Sequence, residues 1–149
     1  MRRPVAVVAA LVLLVEAVGI VAINGIMATF VDKQDMSLAG LDPDAMVTGT
    51  WAMGIAFGLF LASCAAVLLV AGLRDRAPGR IGKIMVISCA VVHGVLGALT
   101  VGLMGWGAFA FMMTVLGLIV LALLGYGDEG KPRESEPQDT APANGAAPA

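Results

Sequence analysis

Charge is what this chain has least of: of 149 residues only 13% are Asp, Glu, Lys or Arg, against roughly 25% in a soluble domain. With 59% hydrophobic residues and a mean hydropathy of +0.92, it has too little polar surface to cover a globule in water. Histidine occurs once, at His93, which excludes haem held between two histidines. Cysteine occurs twice, as Cys64 and Cys89 inside apolar runs, so there is neither a secreted disulfide framework nor a CxxC pair. No phosphate-cradling glycine loop is present, and the absence of a basic stripe or arm argues against nucleic acid as a partner. No nucleophile stands with a base, so the expectation is no covalent catalysis, no cofactor and no metal site.

What the chain does have is long apolar runs. A helix needs about 20 apolar residues to cross the roughly 30 Å hydrocarbon core, and four stretches reach that length: Pro4 to about Val31, Ala45 to Leu73, Ile84 to Leu103, and Ala108 to Gly125. The expected fold is all-α, four transmembrane helices in an antiparallel bundle of left-handed or mixed packing, over residues 1–126. Met104-Gly105-Trp106-Gly107 is a short turn with an interfacial anchor and forces the last two spans into a hairpin. Asp42 and Pro43 read as the N-cap and first residue of the second helix. The proline-rich tail, 127–149, is expected to be solvated and disordered.

The few charges are sorted by side. Arg2 and Arg3 precede the first span, Arg74, Arg76, Arg80 and Lys83 join the second to the third, and Lys131 and Arg133 lie in the tail; only Lys33 of the nine basic residues falls in the first loop. That loop is otherwise acidic, with Asp32, Asp35, Asp42 and Asp44. Basic residues mark the cytoplasmic side, so both termini are expected in the cytoplasm of a bacterial cell. Trp51 and Trp106 then fall at the outer interface and Tyr126 at the inner one. Arg2-Arg3 followed by Val5 to Val15 has the outline of a signal peptide, but the apolar run continues to Val31 and Glu16 occupies the place of a cleavage region.

Helices in lipid approach where small residues line one face. Gly54, Gly58, Ala62 and Ala66 form such a row on the second span, and Ala90, Gly94, Ala98 and Gly102 on the third, to face each other or neighbouring helices. If the rows meet each other, Cys64 and Cys89 point elsewhere and act as small hydrophobes. Cys89 and His93, one turn apart, offer at most two metal ligands.

Two ionisable side chains fall at membrane depth, Glu16 about twelve residues into the first span and His93 about ten into the third. Both spans start from the same side, so the two reach similar depth. A Glu–His hydrogen bond lowers the cost of burying both, and serves either as interhelical glue or as a proton-accepting pair. Asn24 is the other polar candidate, as an alternative partner for a neutral Glu16.

Two stretches carry a resemblance: Val15-Glu16-Ala17-Val18-Gly19 with Asp35-Met36-Ser37-Leu38-Ala39-Gly40-Leu41-Asp42-Pro43-Asp44, and Ile87-Ser88-Cys89-Ala90-Val91-Val92-His93-Gly94 leading to Gly105-Trp106-Gly107-Ala108-Phe109-Ala110-Phe111. They resemble a family of small four-span membrane proteins of high-GC actinobacteria, over residues 1 to 126. The resemblance implies the topology and brings no activity. The chain is also similar to small multidrug resistance transporters in placing a glutamate, Glu16, in its first helix; it departs from them in its acidic first loop, its tail and its strong charge bias.

The functional expectation is a plasma-membrane component that binds, assembles or organises, in contact with lipid and with further copies or other membrane proteins. The alternative is a small proton-coupled transporter or channel component using Glu16 and His93.

Overall fold

The structure is a computed structural model and describes residues 2–34, 40 and 42–127; most of the first loop and of the tail lies outside the described residues. It contains four helices in the order α1 (Arg2–Lys33), α2 (Pro43–Arg74), α3 (Arg80–Leu103) and α4 (Trp106–Gly125), all long and apolar enough to cross a membrane. The chain is an all-α, multi-pass membrane protein.

Each helix end has a local cause. The Asp42 carboxylate accepts from the Asp44 amide at 2.9 Å and Pro43 fills the first helical position, so α2 starts where its cap and proline put it. Asp75 ends α2 in a left-handed conformation, φ 51°, and its amide bonds the Ala71 carbonyl. The last turn is tighter than expected: α3 runs to Leu103 and α4 begins at Trp106, so Trp106 and Gly107 are helical and only Met104 and Gly105 connect. Gly105 makes this possible with φ 87°, a backbone state that costs any residue with a Cβ.

α1 and α2 pack along their length, α3 and α4 form a second hairpin, and the hairpins join through α1 against α4 and a lighter contact of α2 with α3. Buried positions on α2 fall at Gly54, Gly58, Leu61, Ala65, Leu68 and Gly72, and on α1 at Ala6, Ala10, Leu13 and Ala17, with steps of four and three residues in alternation. Such a 3.5-residue repeat stays in contact with a partner helix when the two wrap left-handedly. Most residues in this seam are Gly or Ala, with Leu13, Leu61 and Leu68 among them, whereas Val15, Ile81 and Leu103 are 73%, 77% and 81% exposed. A seam rich in glycine and alanine, with large aliphatic side chains abundant on the outside, suits a bundle dissolved in hydrocarbon, where close backbone approach replaces water exclusion as the driving force.

The clearest close approach is at Gly58, where a Cβ would lie 2.5 Å from Val21 Cγ2 and 3.2 Å from the Ala17 carbonyl oxygen. The rows of small residues are only partly used. Gly54 and Gly58 face α1 rather than α3, and Ala62 is half-buried while Ala66 is exposed. On α3, Ala90 packs against the core and Gly94 comes near Leu116, but Ala98 and Gly102 are exposed and a Cβ on Gly102 would meet nothing. The small residue of α3 that does meet α4 is Gly97, against Met112 and Met113. Of the two expected arrangements, Gly54 and Gly58 take the second, contact with a neighbouring helix, α1, and the rows of α2 and α3 do not face each other there.

The ends that carry Arg2 and Arg80 lie together. Arg2 Nε stands 3.3 Å and Arg3 Nη2 2.9 Å from the Asp75 carboxylate, and the Arg2 guanidinium lies 5.6 Å from the centre of the Tyr126 ring. The Tyr126 hydroxyl donates to the Ala71 carbonyl at 3.1 Å. Arginines of α1, the end of α2 and the end of α4 are thus clasped around one acid and one phenol. Opposition from Arg3 and Arg2 holds the Asp75 carboxyl below the usual aspartate range, with the Arg3 hydrogen bond as the largest cause.

Candidate functional site

α1 and α3 run in the same direction from the clasped end, and their polar residues are level: Glu16 is fourteen residues beyond Arg2 and His93 thirteen beyond Arg80. At about 1.5 Å per residue both stand roughly 20 Å into the bundle. The two helices are diagonal neighbours in the ring formed by α1–α2, α2–α3, α3–α4 and α4–α1 contacts. Side chains that meet between them lie on the bundle axis.

They do meet: His93 Nε2 is 3.0 Å from Glu16 Oε2, with the two side chains 4% and 11% exposed. His93 Nδ1 is 2.9 Å from the Cys89 carbonyl oxygen. A carbonyl only accepts, so Nδ1 carries a proton. Nε2 then either accepts the proton of a neutral Glu16 carboxyl or, as imidazolium, donates to its carboxylate. Both forms have the same net charge and place one proton between the two groups. Asn24 takes no part, because its amide donates to the Ile20 carbonyl at 2.8 Å within α1 and its side chain covers Gly54.

Glu16 Oε1 is buried and has no hydrogen-bond partner. Beside it lies a cavity of about 300 Å³ that draws its wall from all four helices: Glu16, Gly19 and Ile20 of α1, Phe57 and Leu61 of α2, His93 of α3, and Phe111 and Met112 of α4 among them. Val15 and Ile23, also in the wall, are 73% and 59% exposed, so the cavity is open sideways, toward the lipid. Gly19 has open space where a Cβ would be.

The cysteines are nearer one another than the sequence suggested. The Cys64 thiol donates to the Met85 carbonyl of α3 at 3.6 Å, one helical turn before Cys89. Cys89 Sγ is in turn 3.6 Å from His93 Nδ1. Both cysteines are fully buried and unbridged. Because α2 turns its glycines to α1, the flank bearing Cys64 is left to face α3. Among the described residues no group of three or more His, Cys, Asp or Glu is arranged to hold a metal ion.

The site is thus a connected polar line, Glu16–His93–Cys89, across α1 and α3 in an otherwise apolar interior, with Cys64 of α2 set against the α3 backbone one turn away. No protein-family model, curated protein or solved structure matches the chain.

Proposed function

We propose that this protein is a binding component of a bacterial plasma membrane, with both termini in the cytoplasm, that takes a lipophilic molecule carrying a hydrogen-bonding group into the lateral cavity beside Glu16. The observation that carries this reading is Glu16, which is among the residues lining an apolar cavity of about 300 Å³ and whose Oε1 atom is buried without a partner. An orphaned buried oxygen costs about 1–3 kcal/mol, and a donor on a ligand removes that cost. The apolar remainder of the wall suits a molecule that arrives through the bilayer. The charge asymmetry of the loops supports the orientation.

The Glu16–His93 contact favours a second reading, in which the pair exchanges its proton as the ligand comes and goes and so couples binding to protons. Interhelical glue alone explains the 3.0 Å bond but not the adjoining cavity.

The test is mass spectrometry of small molecules that copurify with the protein from its own membranes. Wild type should retain a lipophilic compound that Gly19→Leu, which fills the cavity, loses and Glu16→Gln holds more weakly. An identical lipid complement in all three proteins would refute the binding reading.

A further inference from the structure

Four basic side chains at the clasped end of the bundle take no part in the clasp. Asp75, the one acid among the described residues there, is engaged by Arg2 and Arg3, and Arg74, Arg76, Arg80 and Lys83 make no ion pair within the described residues. Arg80 and Lys83 stand three residues apart in the first turn of α3, and so on one side of that helix. Both lie in the wall of a cavity of about 490 Å³ that opens where α2 and α3 touch only lightly.

Much of the remaining wall is apolar, from Leu68 of α2 and from Ala122, Leu123 and Tyr126 at the end of α4. Leu68 and Ala122 are each 1% exposed and Tyr126 5%, so the cavity enters the interior rather than skirting it. Leu68 also lies seven residues before Asp75, about 10 Å along α2. The cavity therefore reaches from the charged end of the bundle into the part that spans hydrocarbon.

A ligand suited to this wall is negative at one end and apolar at the other. A free phosphate compound would leave the apolar wall wet, and an uncharged chain would leave two cations unanswered. A phospholipid with an anionic headgroup satisfies both, and the bilayer presents it at the level where α3 begins, because basic pockets between membrane helices at the headgroup level suit phosphate. We propose that the cavity between the α2–α3 turn and α4 is a site for an anionic phospholipid, whose phosphodiester is held by Arg80 and Lys83 and whose acyl chain lies against Leu68, Ala122 and Leu123. This site is separate from the cavity at Glu16 and needs no ligand there. The rival counter-charges are Asp128 and Glu129, which follow Gly127 at the cavity edge.

The experiment titrates the full chain in detergent micelles with dioleoyl phosphatidylglycerol or dioleoyl phosphatidylcholine and reads binding by native mass spectrometry. Wild type should bind the glycerol lipid about tenfold more tightly or better, as expected for two basic contacts. Arg80→Gln with Lys83→Gln should abolish that preference. Arg74→Gln with Arg76→Gln removes the same charge from the same end outside this cavity and should keep it. All four side chains are exposed, so both double variants should unfold at the wild-type detergent midpoint. Millimolar glycerol phosphate should leave the bound lipid in place. Equal binding of the two lipids by wild type, or an equal loss in the two double variants, would overturn the proposal, the second by reducing it to general surface charge. Displacement by glycerol phosphate would assign the basic pair to a free anion instead, and a preference that emerges only in Asp128→Asn with Glu129→Gln would make the tail the occupant; the lipid site fails in either case.

Discussion

His93 Nε2 and Glu16 Oε2 are 3.0 Å apart across the diagonal of the bundle, although 77 residues separate them in the chain. Neither helix that bears them contacts the other extensively, so the bond is a specific tie across the axis. Hydrogen bonds between helices in membranes average only about 0.6 kcal/mol, because the unfolded helices in lipid also find partners.

The tie makes the two side chains interdependent. Glu16→Ala should destabilise the bundle by about 1–3 kcal/mol, since it leaves the buried His93 Nε2 without a partner, whereas Glu16→Gln keeps a hydrogen bond and costs less. A double-mutant cycle of Glu16→Ala with His93→Ala, read by unfolding in mixed detergent micelles, should give a coupling energy of about 0.5–2 kcal/mol. Strict additivity would show that the bond contributes nothing.

Backbone approach, not side-chain bulk, sets the α1–α2 spacing. Gly58→Ala introduces a Cβ 2.5 Å from Val21 Cγ2 and 3.2 Å from a carbonyl oxygen that cannot give way, so it should cost about 1–3 kcal/mol by overpacking. Gly102→Ala meets nothing and should be neutral or slightly stabilising through helix propensity. The comparison requires only the midpoints of detergent unfolding for the two variants.

Acid should loosen the clasped end before the bundle. The Asp75 carboxyl is held below its usual range, first by its hydrogen bond from Arg3 and then, against the opposing effect of burial, by the charges of Arg3 and Arg2. A depressed folded-state pKa gives stability that is present above the unfolded value of about 3.9 and is lost as pH falls through the lower folded value. Hydrogen exchange at the start of α1 should therefore accelerate below about pH 3.9 in wild type, and the Asp75→Asn variant should be open already at neutral pH with no further change on acidification.

Tyr126 ties the end of α4 to the end of α2. Removing its hydroxyl in Tyr126→Phe should cost only about 0.5–1.5 kcal/mol, because the Ala71 carbonyl also accepts from the Asp75 and Arg76 amides and is not orphaned. Tyr126→Ala removes the buried ring as well and should cost more than twice as much in the same unfolding assay.

Orientation can be read chemically. In a background of Cys64→Ala and Cys89→Ala, a cysteine at Ala77, in the exposed α2–α3 turn, should be blocked in intact cells to a membrane-impermeant maleimide, and one at Gln34, beyond α1, should react. The opposite pattern would invert the proposed topology.

Some of the site was legible from residue type alone. Glu16 and His93 stand out because an ionisable group in an apolar run has few affordable fates, and the shared direction of α1 and α3 puts them at one depth whatever the packing. Their contact was expected with Asn24 as the alternative partner for Glu16; the structure removes Asn24, which bonds its own helix. The contact of Cys64 with α3 was not legible, since it depends on how far α2 is rotated. That rotation is set by Gly54 and Gly58 against α1, and Gly and Ala are too common here for a row of them to name its partner. Asp75 carried a signal that was passed over: a single acid between Arg74 and Arg76.

The sequence by itself determined the long apolar helices and their ends, because these follow from run length and from local residues such as Asp42 and Pro43. These are properties of a segment and its solvent. Only the tertiary structure decided which faces meet, and with them the cavity lined by Glu16, the contact of Cys64 with α3 and the Arg2–Arg3–Asp75 clasp. In lipid the outer and inner faces of a helix are equally apolar, so hydrophobic periodicity carries no rotational information and the choice falls to close packing between particular side chains.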